Sequence, residues 1–375
     1  MQRKVGILGG GQLGRMLIQA AIDFDLDISI LDPDPNAPCK LFANRFEVGK
    51  LTDFDTVYQF GQTVDLLTIE IENVNVDALE KLQQEGKKVF PQPQVIRIIQ
   101  DKRVQKQFYQ THQIPTPDFV LIDNKSQLEA NADFLPAFQK LGKGGFDGRG
   151  VQKLNSSADF AQAFENPSLL EKLVDIDKEI SVIIARNESG DMTTFPVVEL
   201  VFHPEHNLVD YLMAPSQISL ALAAEAEAIA QKVMLAFDMV GLLAIEMFLT
   251  KDGEILVNEV APRPHNSGHH TIKANGTSQF EQLWRAVLNM PLGDTSTQSL
   301  AAMVNVLGES GHTGDAKYEG VNETLGVTGA YLHLYGKKLT KPSRKMGHVT
   351  ILDQTLEGLQ EKIELVKSSI KVVSK

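Results

Sequence analysis

The chain has 375 residues, 43% of them hydrophobic and 22% charged, which is ordinary for a protein of two or three packed domains. A net charge of -12 argues against a general nucleic-acid binder, because duplex affinity comes mainly from neutralising phosphates. The single cysteine, Cys39, excludes an internal disulfide framework and fits a reducing, cytoplasmic compartment.

No signal peptide is read at the N-terminus, where the apolar run is short and breaks into glycines. The longest apolar region, Val233 to Leu249, is interrupted by Asp238 and Glu246 and does not read as a membrane span. The first predicted strand, Lys4–Leu8, runs into Gly9, Gly11 and Gly14, spaced as G-x-G-x-x-G before an amphipathic helix bearing Leu13, Met16 and Leu17. A second strand, Ile28–Leu31, ends at Asp32, which completes the outline of a dinucleotide fingerprint. Amides at a helix start suit any phosphate, so a nicotinamide or flavin cofactor, another phosphate ligand and simple close packing all remain open.

The strand Asp65–Ile71 is ended by Thr68–Asn73 with Glu70 and Glu72 on one face, two carboxylates that suit a solvated edge or a site. Helix Val76–Glu85 and strand Lys88–Phe90 close a first βαβ-type domain, with Pro91 and Pro93 at its boundary. Asp101–His112 is a basic helix with Lys102, Arg103 and Lys106. A strand at Ala137–Lys140 precedes the glycine-rich stretch Lys143–Gly150, whose many amides suit covering phosphates but which lacks the ending of a Walker A loop. Glu171 falls inside the apolar strand Leu169–Val174, an expensive choice unless it meets a ligand. Glu179–Arg186 and Thr193–Glu199 read as a hairpin, and Ser219–Leu235 as an alanine-rich helix.

The stretch Leu243 to His270 organises the rest. With Asp252-Gly253 as a two-residue turn, Glu246 on one strand faces Glu259 on the other. Both strands are apolar on both faces and should be buried, and side chains so opposed have Cβ atoms about 5 Å apart, where like charges repel. A hard divalent cation such as Mg²⁺ would reverse the sign, with Asn258 beside the pair as a further oxygen donor. The alternatives are a protonated glutamate or strand ends beside lysines. The polar loop Arg263-Pro264-His265-Asn266-Ser267-Gly268-His269 leaves the buried strand where α/β proteins place ligands. Helix Phe280–Leu288 carries Trp284, read as core. The C-terminal part begins near Leu300, with strand Met303–Leu307, then Tyr331–Tyr335 and a basic loop, Gly336–His348, suited to a solvated tip or an anion anchor.

In this order the pieces resemble the ATP-grasp superfamily, and within it the 5-(carboxyamino)imidazole ribonucleotide synthases of purine synthesis. GGGQLGRM, GGFDGRG, NEVAPRPHNSGHH and SRKMGH carry the resemblance, which covers nearly the whole chain. It implies an α/β and α+β architecture: a Rossmann-like pre-ATP-grasp domain with an open parallel sheet (1–97), an ATP-grasp domain (98–295, small lobe about 115–175, glycine-rich lid 143–151) and a small C-terminal β-rich lobe (296–375). It also implies ATP-dependent carboxylation of 5-aminoimidazole ribonucleotide by bicarbonate, with Mg²⁺ or substituting Mn²⁺, in a cytoplasmic homodimer.

The resemblance places Lys102 and Lys140 on ATP phosphates under the loop Gly145, Phe146, Asp147, Gly148, Arg149, Gly150 and Val151. It places Glu171, Lys172, Leu173 and Val174 at the adenine, Glu179 on the ribose, and Glu246 and Glu259 on the metal beside Asn258. The ribonucleotide would meet Gly11, Gln12, Leu13, His265, Asn266 and Ser267, its phosphate reaching Arg344 and Lys345. Asp147, Arg149, Arg263 and His265 are the catalytic candidates. Two positions depart from the family pattern: Phe146 where tyrosine is usual, and Lys102 where arginine is frequent, a point charge in place of a bidentate fork. A formate-using glycinamide ribonucleotide transformylase would share the clamp but not the acceptor. An NAD-dependent dehydrogenase would share only the first fingerprint and leave the opposed glutamates unexplained.

Overall fold

The computed structural model describes residues 3–145, 150–202 and 209–375. Its N-terminal part is an open parallel sheet in the order Arg45–Val48, Asp27–Asp32, Lys4–Leu8, Leu66–Ile69, Lys88–Val89. Strands buried on both faces read as continuous apolar runs, as Val5, Ile7, Leu8, Ile28 and Ile30 show at 0–1% exposure. Helix Gln12–Ala21 buries Leu13, Met16 and Leu17 on one face. The fully buried Trp284 donates its indole N–H to the Leu17 carbonyl at 2.9 Å, fastening this domain to the next as a core residue.

Two antiparallel sheets follow. The smaller has the order Phe119–Ile122, Ser168–Lys172, Ala137–Leu141, Val151–Leu154. The larger begins with Ile255–Ala261, Gly241–Thr250 and Ile176–Arg186, and continues through Val198–Phe202 and Val209–Ala214. Strand Leu300–Leu307 pairs with Val209–Ala214, so three C-terminal strands extend this sheet, while Gly314–Glu319, Lys371–Ser374 and Leu339–Thr340 form a small sheet apart. The expected hairpin after Arg186 is divided. Ile176–Arg186 pairs first with Met192–Thr194 and then, further back, with Val198–Phe202.

The central hairpin opposes Glu246 and Glu259 as expected, by a different route. Thr250 donates its amide to the Glu254 carbonyl at 2.9 Å, and Gly253 has φ +86°, so the loop holds three residues, Lys251 to Gly253. That extra residue shifts the register by one, pairing Met247 with Val257. A bulge at Asn258 shifts it back. Because an unpaired extra residue breaks the alternation of a strand, consecutive Asn258 and Glu259 both line one cleft.

Candidate active site

The cleft between the two antiparallel sheets encloses about 500 Å³. The small sheet supplies Phe138, Lys140, Val151, Glu171 and Lys172. The large sheet supplies Glu179, Leu200, Phe202, Glu246, Phe248, Asn258 and Glu259. Gly145, Val174, Lys102, His265, Asn266, Ser267 and Lys345 also line the cleft. Most of the expected site residues thus meet in one place. The apolar walls from Phe138, Leu200, Phe202 and Phe248 were not foreseen, since isolated aromatics in strands read as core. Leu173, Gly150, Gly11, Gln12, Leu13, Arg263 and Arg344 are not among the residues lining this cleft. Phe146, Asp147, Gly148 and Arg149 lie outside the described residues.

Across the large sheet Ser181, Glu246 and Glu259 form one row on neighbouring strands. Burial, then the charges of Glu259 and Glu179, push the Glu246 carboxyl well above the usual range. Glu259 moves the opposite way, held low chiefly by Lys102, whose Nζ lies 3.0 Å from its Oε2. Glu179 is raised to about 7, mainly by burial, with Lys140 opposing and Glu259 adding to the shift. Two opposed carboxylates with an adjacent amide oxygen are hard donors of the kind Mg²⁺ takes together with phosphates. The described residues hold no group of three or more His, Cys, Asp or Glu that could cage a metal alone.

Helix Lys102–Thr111 is capped by Asp101, whose carboxylate accepts the Arg103 amide, and brings Lys102 to the cleft. Lys140 donates to Glu171 at 2.5 Å and to Asn258 at 3.2 Å, joining the small sheet to the bulge. At the far end, Gln279 grips the His265 backbone from both sides, accepting its N–H at 2.9 Å and donating to its carbonyl at 2.8 Å. The His265 Nδ1 lies 3.0 Å from Ser267 Oγ, which meets Ser181 Oγ at 2.9 Å. Burial, with Arg263 and Lys345 nearby, drives His265 down to about 3, so its ring is neutral at physiological pH. A Cβ at Gly268 would stand 2.5 Å from Gln279 Oε1, the atom that accepts the His265 N–H, so a side chain here would disturb that grip. Asn266 donates to Asn305 at 2.9 Å, tying the loop to the C-terminal strands.

Arg263 turns toward the N-terminal domain, its Nε 2.8 Å from Glu72. Lys345 lines the cleft, and Arg344 donates to the Leu339 carbonyl at 2.8 Å. The N-terminal fingerprint is occupied from within. Glu70 accepts the amides of Gly11 and Gly14, each at 2.7 Å, and Asp32 accepts that of Gly10 at 2.6 Å. Carboxylates standing where a pyrophosphate would bind give this loop the wrong charge for a dinucleotide.

Comparison with known proteins agrees with this geometry. The ATP-grasp domain family matches residues 107–280, and the ribonucleotide synthetase pre-ATP-grasp domain matches residues 1–100. The protein is therefore of the ATP-grasp class, with two antiparallel sheets lining one cleft and a parallel-sheet domain ahead of them in the chain. The phosphoribosylaminoimidazole carboxylase C-terminal domain matches residues 301–362. N5-carboxyaminoimidazole ribonucleotide synthase of Brucella melitensis is 39% identical, over 92% of this chain and 95% of that protein. The crystal structure of the synthetase from Thermotoga maritima superposes with a TM-score of 0.92 at 41% identity, covering 100% of both chains. The enzyme of Aspergillus clavatus, solved in complex with ADP and 5-aminoimidazole ribonucleotide, gives a TM-score of 0.88 at 31% identity, covering 98% of this chain and 99% of that one. The chain belongs to the N5-carboxyaminoimidazole ribonucleotide synthase family. It spans 66% of the length of the chloroplastic phosphoribosylaminoimidazole carboxylase of Vigna aconitifolia, to which it is 37% identical over 96% of its own length.

Proposed function

We propose that this chain carboxylates the exocyclic amine of 5-aminoimidazole ribonucleotide with bicarbonate at the expense of ATP. The observation that carries the reading is the convergence of Lys102, Lys140, Glu246, Glu259 and the loop from His265 to Ser267 on one cleft. On this reading, a bicarbonate oxygen attacks the γ-phosphorus of ATP and ADP leaves. The carboxyphosphate then breaks into CO₂ and phosphate, and the amine nitrogen bonds the CO₂ carbon as it loses a proton.

Such chemistry needs positioning and charge neutralisation rather than a covalent nucleophile, which suits a site rich in lysine and carboxylate. Lys102 and Lys140 would hold phosphates, while Glu171, Lys172 and Val174 would line the adenine and Glu179 would hold the ribose. Glu246 and Glu259, with Asn258 beside them, would hold Mg²⁺ or Mn²⁺, which neutralises charge on the transferring phosphoryl group. His265, neutral and fixed by Gln279 and Ser267, would orient the ribonucleotide, and Lys345 with Arg344 would meet its phosphate. Asp147, Arg149 and Arg263 keep the catalytic roles the family resemblance gives them, and Gly11, Gln12 and Leu13 the contact to the ribonucleotide.

A cytoplasmic homodimer is the assembly proposed, and among the described residues no helix is long and apolar enough to cross a membrane. The test is ADP release in bicarbonate-depleted buffer with 5-aminoimidazole ribonucleotide present, then with ¹⁸O-bicarbonate. Dependence on bicarbonate and one labelled oxygen in the released phosphate are expected. Activity with formate and glycinamide ribonucleotide, and none with bicarbonate, would move the chain to the transformylase reading.

A further inference from the structure

Lys106 stands one helical turn after Lys102 on the same helix, yet it does not reach the cleft: its side chain is 3% exposed. Its Nζ lies 2.6 Å from Glu171 Oε2, and the other oxygen of the same carboxylate, Oε1, lies 2.5 Å from Lys140. The Glu171 side chain is itself 2% exposed, so this is one buried carboxylate held between two ammonium groups. Lys106 is fixed on its other side as well. It donates to the Thr116 hydroxyl, which donates to the Val257 carbonyl at 2.7 Å, one residue before the bulge at Asn258. Lys140, by contrast, is 14% exposed and lines the cleft. Of the two lysines on Glu171, one can turn to a ligand and the other cannot.

The charges explain why both are there. Two lysines and one glutamate carry a net charge of +1, so when Lys140 turns to a phosphate, Glu171 still keeps a buried counter-ion. Without Lys106 the pair is neutral, and Lys140 could leave only by stranding a desolvated carboxylate, a costly state. From this geometry we infer that Lys106 is a positioning residue for the nucleotide, sharing Glu171 so that Lys140 is available to the phosphates. The inference rests on the nucleotide reading of the cleft proposed above.

The test is the affinity of the full chain for ADP with Mg²⁺ and, by competition, for adenosine, in four proteins: wild type, Lys106→Met, Glu171→Gln and the double variant. Lys106→Met should weaken ADP about tenfold, the worth of one charge-assisted hydrogen bond, and leave adenosine within about twofold. In the Glu171→Gln background, removing Lys106 should change ADP affinity by less than about twofold, because no buried charge remains to be shared. Equal losses for ADP and adenosine would show a purely structural role and overturn the inference, as would a tenfold loss of ADP affinity from Glu171→Gln to the double variant. If Lys106→Met does not fold, that last comparison decides by itself, equality supporting the inference. A wild-type chain that fails to bind ADP would instead remove the nucleotide reading, and this inference with it.

Discussion

Replacing Glu70 by alanine should destabilise the N-terminal domain measurably. Its two carboxylate oxygens accept the Gly11 and Gly14 amides at 2.7 Å each, at the start of the first helix. Hydrogen bonds to a charged group are worth about 1.5–3 kcal/mol, so two come to about 3–6 kcal/mol. Burial raises the Glu70 carboxyl despite those bonds, so deleting it also relieves a desolvation cost, and the net loss should fall below that sum. Glutamine keeps one acceptor and turns an N–H toward the other amide, so Glu70→Gln should fall between wild type and alanine. The assay is urea unfolding followed by the fluorescence of Trp284, the single tryptophan, which is bonded to Leu17 on that helix. A second arm uses Gly11→Ala, whose Cβ would lie 2.6 Å from Glu70 Oε1. It should cost far less in the Glu70→Ala background than alone. An unchanged midpoint for Glu70→Ala, or saturable micromolar binding of NAD by the wild type, would refute the view that this carboxylate fills the loop.

Glu246→Gln or Glu259→Gln should abolish ATP turnover while circular dichroism stays native, and normal turnover in both would end the metal assignment. Arg344→Ala and Lys345→Ala should raise the KM for the ribonucleotide roughly ten- to a hundredfold, as expected of charge-assisted contacts, and that for ATP far less. Equal effects on both substrates would refute their assignment to the ribonucleotide phosphate. The share of stability that rests on buried neutral histidines should fall as pH drops below about 6.5, where free histidine takes a proton, while the raised Glu179 and Glu246 work in the opposite direction. Burial depresses His269, His270 and His348, so the unfolded chain binds more protons there than the folded one, and the His270 share of the loss continues to about 4, the value to which it is driven. Urea midpoints at several pH values check this, and His270→Gln should flatten the slope.

What was legible in the sequence was local chemistry. Asp252-Gly253 announced a hairpin, and the opposed glutamates followed from it, although the observed loop is one residue longer and the bulge at Asn258 restores the pairing. Two shifts that cancel leave no mark on an alternation already apolar on both faces. Glu70 and Glu72 read as one feature, yet they lie past the end of their strand and separate, one to the glycine loop and one to Arg263. Their partners are distant in the chain, and periodicity carries no information about that. Lys106 was visible only as one cation of a basic helix. Its spacing from Lys102 put both on one face, but its burial depends on Glu171, brought from the small sheet. The continuity of the C-terminal strands with the large sheet was equally invisible, since it rests on the pairing of Val209–Ala214 with Leu300–Leu307.

The cations of the cleft wear their carboxylates as provisional partners. Lys102 is held by Glu259 and Lys140 by Glu171, so in this structure the charges that would meet phosphates are already neutralised. Opening such pairs is favourable only if each carboxylate left behind finds another positive partner, because a lone buried charge is the expensive state. For Glu171 the partner is built in, as Lys106. For Glu259 no second lysine stands at bonding distance among the salt bridges of the described residues, and the group facing it across the hairpin is Glu246, another acid. On the proposed reading, the fold supplies one replacement from its own sequence and leaves the other to a hard cation. On the same reading that cation arrives with the same phosphates that draw Lys102 away, and the two exchanges are coupled.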